Sequence, residues 1–496
     1  MDGPAAAAPV DLRLVPAALT SWAVTAAGIV WAVPGAVVGA AVSVVATAAA
    51  GWWGARRGRR AVPSRALAMG VAAVAVVGAG FALAVCMRVE QVRQHPATGY
   101  FGSSTRVVVT PSESPRVLEG GRTMVRGSLV QLDGSPSSGR VLVFASGSAY
   151  ARLAAGQPAA FDAAVNRPKR RDLTVAVLAA KGEPRLGRAA PLQRAAHHLR
   201  ERFAEGSRLV LPPEQAAMLP ALVLGDMSMV SNRTTKDFRL SGLAHLTAVS
   251  GANVTIVCAA VLLSAALVGP RVAVALAGVT LSGFVVVVQP SPSVLRAAVM
   301  GAITLLAVLS HRRRQALPAL ATCVIVLLVG APELAVDVGF ALSVSATAAL
   351  VIIAPAWSRR LAHRGWPRPL ADAVSVSLAA QLVTAPLVAG ITGSVSLVAV
   401  AANLAVAPVI PPITVMGTAA AALSALWPAG AQLLIRFTGP EVWWLLSVAR
   451  WSAAAPLASV PVPSGVLGVA TVAGAGLAVA AVWHWVVSGR RDTIVR

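Results

Sequence analysis

Acidic residues are scarce: 19 Asp and Glu stand against 42 Lys and Arg in 496 residues, a net charge of +23. Charged residues of both signs make up 12% of the chain, about half the share of a soluble domain. Cysteine occurs three times, and Cys86, Cys258 and Cys323 all sit within or at the end of apolar runs. That excludes a disulfide framework and predicts buried small hydrophobes. Glycine has no strict period, so a collagen-like chain is excluded. Lys169, Lys181 and Lys236, the only lysines, lie outside any Gly-Lys-Ser/Thr context, so there is no Walker loop to cradle a nucleotide. There is no His-Glu-x-x-His, Cys-x-x-Cys or Gly-x-Ser-x-Gly. The single histidine pair, His197-His198, lacks the neighbouring acids of a hydrolytic metal centre. The expectation is a protein without catalysis, metal or cofactor.

What is abundant is hydrocarbon. Hydrophobic residues make up 56% of the chain. A soluble globule so apolar would expose large sticky patches, and a disordered chain would not be so hydrophobic. A bilayer span needs about 20 mostly apolar residues. Such runs lie near 12–33, 34–50 and 66–87, then near 243–267, 272–288, 293–310, 316–331, 335–355, 371–391, 395–426, 432–455 and 466–488. The 395–426 run is interrupted by Pro408, Pro411 and Pro412, and reads as one kinked helix, two short ones or a re-entrant element. A cleavable signal peptide is the alternative for the first run. No basic region precedes it, so it is read as retained. The expected class is an α-helical polytopic membrane protein of about 11–12 transmembrane helices with a small β-rich, OB-like extracytoplasmic domain. Its expected divisions are N-terminal helices over 1–87, the barrel over 88–188, interfacial helices over 189–240, a core over 241–430, and C-terminal helices with a basic tail over 431–496.

Arginine placement orients this array, because short cytoplasmic loops collect Lys and Arg. With the N-terminus inside, one count puts Arg56–Arg65, Arg312–Arg314, Arg359–Arg368 and Arg490–Arg496 all inside, and 88–240 outside. The expected location is a bacterial cell membrane, with both termini cytoplasmic.

The outer segment carries 22 basic residues against 12 acidic ones, a net +10 that the positive-inside rule does not explain. Val107–Thr110, Thr123–Leu132, Val141–Ala145, Ala159–Val165 and Leu173–Ala179 read as short strands, and Leu132–Gly139 as a loop. Five such strands suggest a small barrel. Pro191–Glu205 reads as an amphipathic helix stopped by Gly206, with Leu192, Ala195, Ala196, Leu199 and Phe203 on one face and Arg194, Arg200 and Arg202 away from it. Arg167-Pro168-Lys169-Arg170-Arg171 is the densest charge run, suited to phosphates, to anionic lipid or to plain solvation.

Polar residues inside apolar runs are the other signal, since an ionisable group there costs about 2.5–3.5 kcal/mol or more. His245, Ser250 and Asn253 interrupt the start of one run, and line a hydrated cavity or serve as interhelical hydrogen bonds. Arg296 lies just inside another, where it snorkels or supplies fixed charge to an anion path. Asp337 falls near the same level, so an Arg296–Asp337 pair is expected. Gln381, Thr384 and Pro386 share one run, and Asn403 precedes Pro408 in the next. Three functions remain open on these grounds: a channel for a polyanion, a transporter of a small anionic or lipid-linked substrate, and a membrane-embedded hydrolase using His245 and Ser250. The hydrolase is disfavoured, because five residues on a helix place those side chains about 140° apart.

Several segments, in order, resemble the ComEC family of competence proteins. They are Leu224-Gly225-Asp226, Phe238 to Gly242, His245-Leu246-x-Ala248-Val249-Ser250-Gly251, Pro292-Ser293-x-x-Arg296-Ala297, Asp337-x-Gly339-Phe340-x-Leu342-Ser343, Gln381 to Pro386, and Asn403-x-x-x-x-Pro408. The resemblance spans roughly residues 60–430 and implies a membrane channel that admits single-stranded DNA during natural transformation. It implies a separate DNA receptor outside, and a DNA motor and single-strand binding proteins inside. Many members add a C-terminal metallo-β-lactamase-like domain. This sequence stops at Arg496 without one, so any strand-degrading nuclease is expected to be separate. Asn253 stands where many members have His, which keeps hydrogen bonding but loses titration. On this resemblance His245, Ser250, Asn253, Arg296, Gln381 and Asn403 are candidate path or gate residues, and Asp337 is expected to orient a cation. Arg167, Lys169, Arg170 and Arg171 are candidates for first capture of the DNA backbone.

Overall fold

The computed structural model describes residues 11–56, 64–118, 120–247, 249–265, 268–289, 291–309 and 315–478. The basic groups at Arg57–Arg60, Arg312–Arg314 and Arg490–Arg496 lie outside them. The chain opens with α1 (Val15–Arg56), which reverses at Ala32 (φ 57°) into two antiparallel arms. A Cβ placed on Gly39 would sit 3.2 Å from the Cα of Val24, which a straight helix could not bring near. The two runs expected over 12–33 and 34–50 are these arms. Helix α2 (Ser64–Arg93) packs along both and leads through a 3-10 turn (Pro96–Tyr100) into the barrel.

The barrel comprises β1 (Ser104–Pro111), the short β2 (Arg116–Val117), β3 (Arg122–Leu132), β4 (Ser135–Ser146), the single turn α3 (Ser148–Ala151), β5 (Ala159–Asn166) and β6 (Thr174–Leu186). Pairing runs β1-β5-β6-β4-β3, and β3 closes back on β1. All these pairs are antiparallel except β4–β6. This is the closed five-stranded order of an OB-like barrel, and closure removes the sheet edges that would otherwise template aggregation. Alternate residues Val107, Val109, Val125, Val143, Phe161 and Leu178 fill it. Tyr150 stacks edge-on against Phe161 at 5.5 Å. The loop expected over 132–139 is only a two-residue turn, with Asp133 and Gly134 both at positive φ, and β4 already begins at Ser135. Asp-Gly suits such a turn because its twist matches that of the strands.

Next come α4 (Pro191–Val210), α5 (Pro213–Leu224) and α6 (Asn232–Leu240). Helix α4 runs past Gly206, contrary to the sequence expectation. A Cβ there would lie 3.3 Å from the Ile435 side chain, so glycine serves close packing rather than termination. Its inward face also differs: Arg200, Phe203 and Ser207 are buried, while Leu192 is 63% exposed. Burial lowers the Arg200 pKa, and Asp226 partly offsets the effect.

The remaining chain forms α7 (Gly251–Ala265), α8 (Pro270–Val288), α9 (Pro292–Leu309), α10 (Ala316–Gly330), α11 (Val338–Ile352), α12 (Ala354–His363), α13 (Arg368–Thr392), β7 (Ser394–Ser396), α14 (Ala399–Val406), α15 (Ile410–Leu423), α16 (Pro428–Phe437), α17 (Gly439–Ala454) and β8 (Ser459–Pro461). Five helices are long and apolar enough to cross a bilayer, six if the α14–α15 pair, bent by 55°, counts as one span. Four shorter apolar helices accompany them, among them α7, α9 and α10. The run expected as one span over 432–455 is instead α16 and α17, parted at Thr438.

Two apolar cores divide the helices. One joins α4, α5, α7, α8 and α15–α17 around Met218, Leu219, Phe284, Ile413 and Leu445. The other joins α1, α10 and α11 around Val24, Leu328 and Phe340. Helix α9 lies on the seam, giving Val294, Ala297 and Leu305 to the first and Leu295, Val299 and Met300 to the second.

Three contacts seat the barrel on the bundle. Arg171 Nη1 donates to the Val30 carbonyl at the α1 reversal (2.6 Å). Gln289, between α8 and α9, accepts from the Ser114 amide at 2.9 Å and donates to its hydroxyl at 3.0 Å. Arg140 pairs with Glu333, between α10 and α11, at 3.1 Å. All three helix ends are ones that the arginine count puts on the barrel's side.

Candidate functional site

The connector from Ser241 to Ser250 joins α6 to α7 without a continuous helix, holding only a 3-10 turn over Ala244–Leu246. Gly242 has φ +76°, and a Cβ there would fall 2.4 Å from the Ala399 Cβ, so only glycine lets the connector touch the start of α14. His245 is exposed, and its Nδ1 lies 3.2 Å from the Gly242 carbonyl. Ser396 ties this end together: its hydroxyl donates to the Leu240 carbonyl at 2.8 Å, and its carbonyl accepts from Gln381 Nε2 at 3.3 Å. Gln381 lies three turns before the end of α13, so β7 runs back alongside that helix. Strand β7 pairs with β8, which satisfies backbone groups that hydrocarbon could not.

At the other end of the connector, the Ser250 hydroxyl donates to Asn253 Oδ1 at 3.2 Å, and Asn253 Nδ2 donates to the Leu222 carbonyl at 3.1 Å. Asn253, 7% exposed, thereby stitches α7 to the last turn of α5. That is the interhelical hydrogen-bond role left open by the sequence.

Arg296 is 8% exposed on α9. Its Nε donates to Ser343 Oγ at 2.7 Å, and its Nη1 donates to Thr347 Oγ1 at 2.8 Å and contacts Met300 Sδ at 3.6 Å. The two hydroxyls are aimed by their own donations, Thr347 to the Ser343 carbonyl and Ser343 to Ser293. Both therefore turn lone pairs toward the guanidinium. A hydrogen bond to a charged group contributes about 1.5–3 kcal/mol, so two of them are of the same order as the insertion penalty of the charge.

The expected Arg296–Asp337 pair does not form. Asp337 Oδ1 instead accepts from the Phe340 amide at 2.8 Å, capping α11. The cap satisfies an amide with no partner inside its own helix, and a carboxylate is favoured at that positive end. Asp337 thus orients a helix, not a cation.

In the strand loop, Arg167 lies over the Phe101 ring at 5.6 Å. Lys169 and Arg170 are exposed. Arg171 is committed to docking on Val30. Of the capture candidates, Lys169 and Arg170 present charge to solvent most simply. A further basic cavity of about 200 Å³ lies between barrel and α4, lined by Arg188, Arg194 and His197 among others. Asn403 sits half-buried in the first half of the bent α14–α15 pair, two residues before the Ala405 carbonyl that accepts from Trp444.

Two participants escaped the sequence reading. Ser343 and Thr347, one turn apart on an apolar helix, were the legible sign of a polar cradle. Ser396 gave no sign, because its importance comes from long-range contacts alone. Among the described residues, no group of three His, Cys, Asp or Glu could hold a metal ion.

An OB-like barrel seated on a polytopic helical bundle, with non-helical polar segments among the helices, defines the class as a membrane protein with a β-domain. The family profile described as Competence protein matches residues 222–487, just over half of the chain. The chain belongs to this ComEC-type family of competence proteins. ComE operon protein 3 of Bacillus subtilis (strain 168) is 27% identical over 213 residues, covering 42% of this chain and 26% of that protein. The match thus spans about a quarter of that relative's length. No solved structure matches.

Proposed function

We propose that this protein is a non-enzymatic channel that passes single-stranded DNA across the bacterial cell membrane during natural transformation. The observation that carries the reading is a coincidence of place. The matched family region covers the bundle in which the 241–250 connector, the β7–β8 pair and the bent α14–α15 pair interrupt helical backbone. Such backbone is tolerated at membrane depth where it lines a water-filled cavity or is buried in protein. His245, Ser250, Gln381 and Asn403 bring polar groups to these breaks. The barrel contributes exposed cations, Lys169 and Arg170, in a loop held near the bundle by Arg171. With the barrel outside and both termini in the cytoplasm, a strand captured there enters at the bundle end that carries the barrel. A receptor on the outer side, and a motor with single-strand binding proteins on the inner side, complete the pathway, with any nuclease a separate protein.

The test is transformation of a deletion strain complemented with the intact gene, with Arg296→Ala or with His245→Ala. The expected result is loss of transformants on deletion, recovery with the intact gene and failure with Arg296→Ala. Normal transformation in the deletion strain overturns the proposal.

A further inference from the structure

Three of the five guanidinium N–H groups of Arg296 are engaged, by Ser343, Thr347 and Met300. The two on Nη2 point at Gly251, where an added Cβ would lie only 2.8 Å from Nη2. Gly251 is the first residue of α7. The leading amides of a helix lack intrahelical acceptors and form its positive end. A guanidinium and a helix N-terminus therefore face each other across a residue with no side chain. Like charges so placed repel unless a negative charge lies between them, and no described carboxylate stands within ion-pairing distance of Arg296. Asp337, the acid expected there, is spent on the α11 cap. The cradle has the further property of being rigid: Ser293, Ser343 and Thr347 form a hydroxyl chain that fixes the guanidinium plane.

We infer that Arg296 Nη2 and the amide end of α7 form a binding site for one anionic phosphate group at the seam between the two helical cores, and that Gly251 keeps it open. The site recognises a tetrahedral oxyanion by two guanidinium N–H donors on one side and backbone N–H donors on the other. That the occupant is a backbone phosphodiester rests on the channel reading above; that the site takes a phosphate does not. Arg296 is the binding residue, Ser343 and Thr347 position it, and Gly251 sets the room available. The arrangement reads no base, so it is indifferent to sequence.

The experiment uses the full chain in lipid vesicles and an oligodeoxythymidylate with an ordinary backbone, beside the same oligomer with an uncharged methylphosphonate backbone. Arg296→Gln is expected to lower entry of the charged oligomer by roughly tenfold or more. Arg296→Lys keeps charge without the fork and is expected to recover part of it. Gly251→Val keeps the charge, fills the gap and is expected to match Arg296→Gln. A second readout covers variants that fold poorly: inorganic phosphate should raise the thermal midpoint of the wild-type chain relative to chloride at equal ionic strength, and should not raise that of Arg296→Lys comparably. Entry by Arg296→Gln and Gly251→Val at the wild-type rate overturns the site and leaves the channel standing. If the wild-type chain admits no oligomer, the channel reading fails, and the phosphate melt alone decides the site: a rise in wild type supports it, and no rise overturns it.

Discussion

Asp337 and Tyr150 show how single side chains are fixed by local physics. Asp337 accepts one amide hydrogen bond at the head of α11, and loss of such a cap costs about 0.5–2 kcal/mol. Asp337→Ala should therefore lower the thermal midpoint of the purified protein, while Asp337→Asn, which retains the acceptor, should lower it less. Equal loss in both would show that charge, not capping, matters. Tyr150 is buried in the barrel with a hydroxyl that has no hydrogen-bond partner. Burial, with a smaller contribution from Asp162, pushes its pKa up to about 12 from 10.0. The folded barrel holds this proton more tightly than the unfolded chain. Its stabilising effect is thus complete below about pH 10 and is lost as pH rises toward about 12. Tyr150→Phe should remove that alkaline loss, and removing an unsatisfied buried hydroxyl should stabilise by about 1 kcal/mol. Denaturant titration at neutral and alkaline pH checks both.

Among the elements, the connector between α6 and α7 is the most constrained. It touches α14 through Gly242, is tethered to β7 through Leu240, and ends on the α5–α7 stitch made by Asn253. Gly242→Ala adds a methyl where only 2.4 Å is available, at a φ of +76° that L residues rarely adopt. It should destabilise by roughly 1–3 kcal/mol and abolish complementation in the transformation assay. Gly278→Ala, with nothing within 4 Å of the added Cβ, is the control and should leave both nearly unchanged. The pattern of α4 belongs to the same scale. Its period was legible, but Arg200 turned inward because the α4 interface offers it the field of Asp226.

For the whole molecule, the barrel is held by contacts to three separate helix ends, at Val30, Gln289 and Glu333. These partners are partly exposed, so each contact is modest and the three act together. Arg171→Gln combined with Arg140→Gln should leave barrel and bundle folded but loosen their seating, read as faster proteolysis at 187–190. Unchanged cleavage would mean that other contacts hold the barrel. DNA retention by the intact protein should fall steeply with salt, because backbone binding releases counterions. Binding that is equal at low and high salt would exclude capture by Lys169 and Arg170.

Composition and period determined the membrane class, the sites of the apolar helices and the five barrel strands, because hydrophobic burial and the two backbone periods act on local sequence. Polar residues in apolar runs also marked the right neighbourhoods, since their burial is expensive wherever it occurs. Tertiary structure alone decided the partners. Arg296 and Asp337 lie 41 positions apart and seemed matched by charge and level, yet hydroxyls one turn apart on α11 took the arginine and the helix's own amide took the acid. Hydrogen-bond geometry is satisfied by the nearest well-aimed acceptor, and which acceptor is nearest follows from how helices pack, a property that no local window of sequence contains.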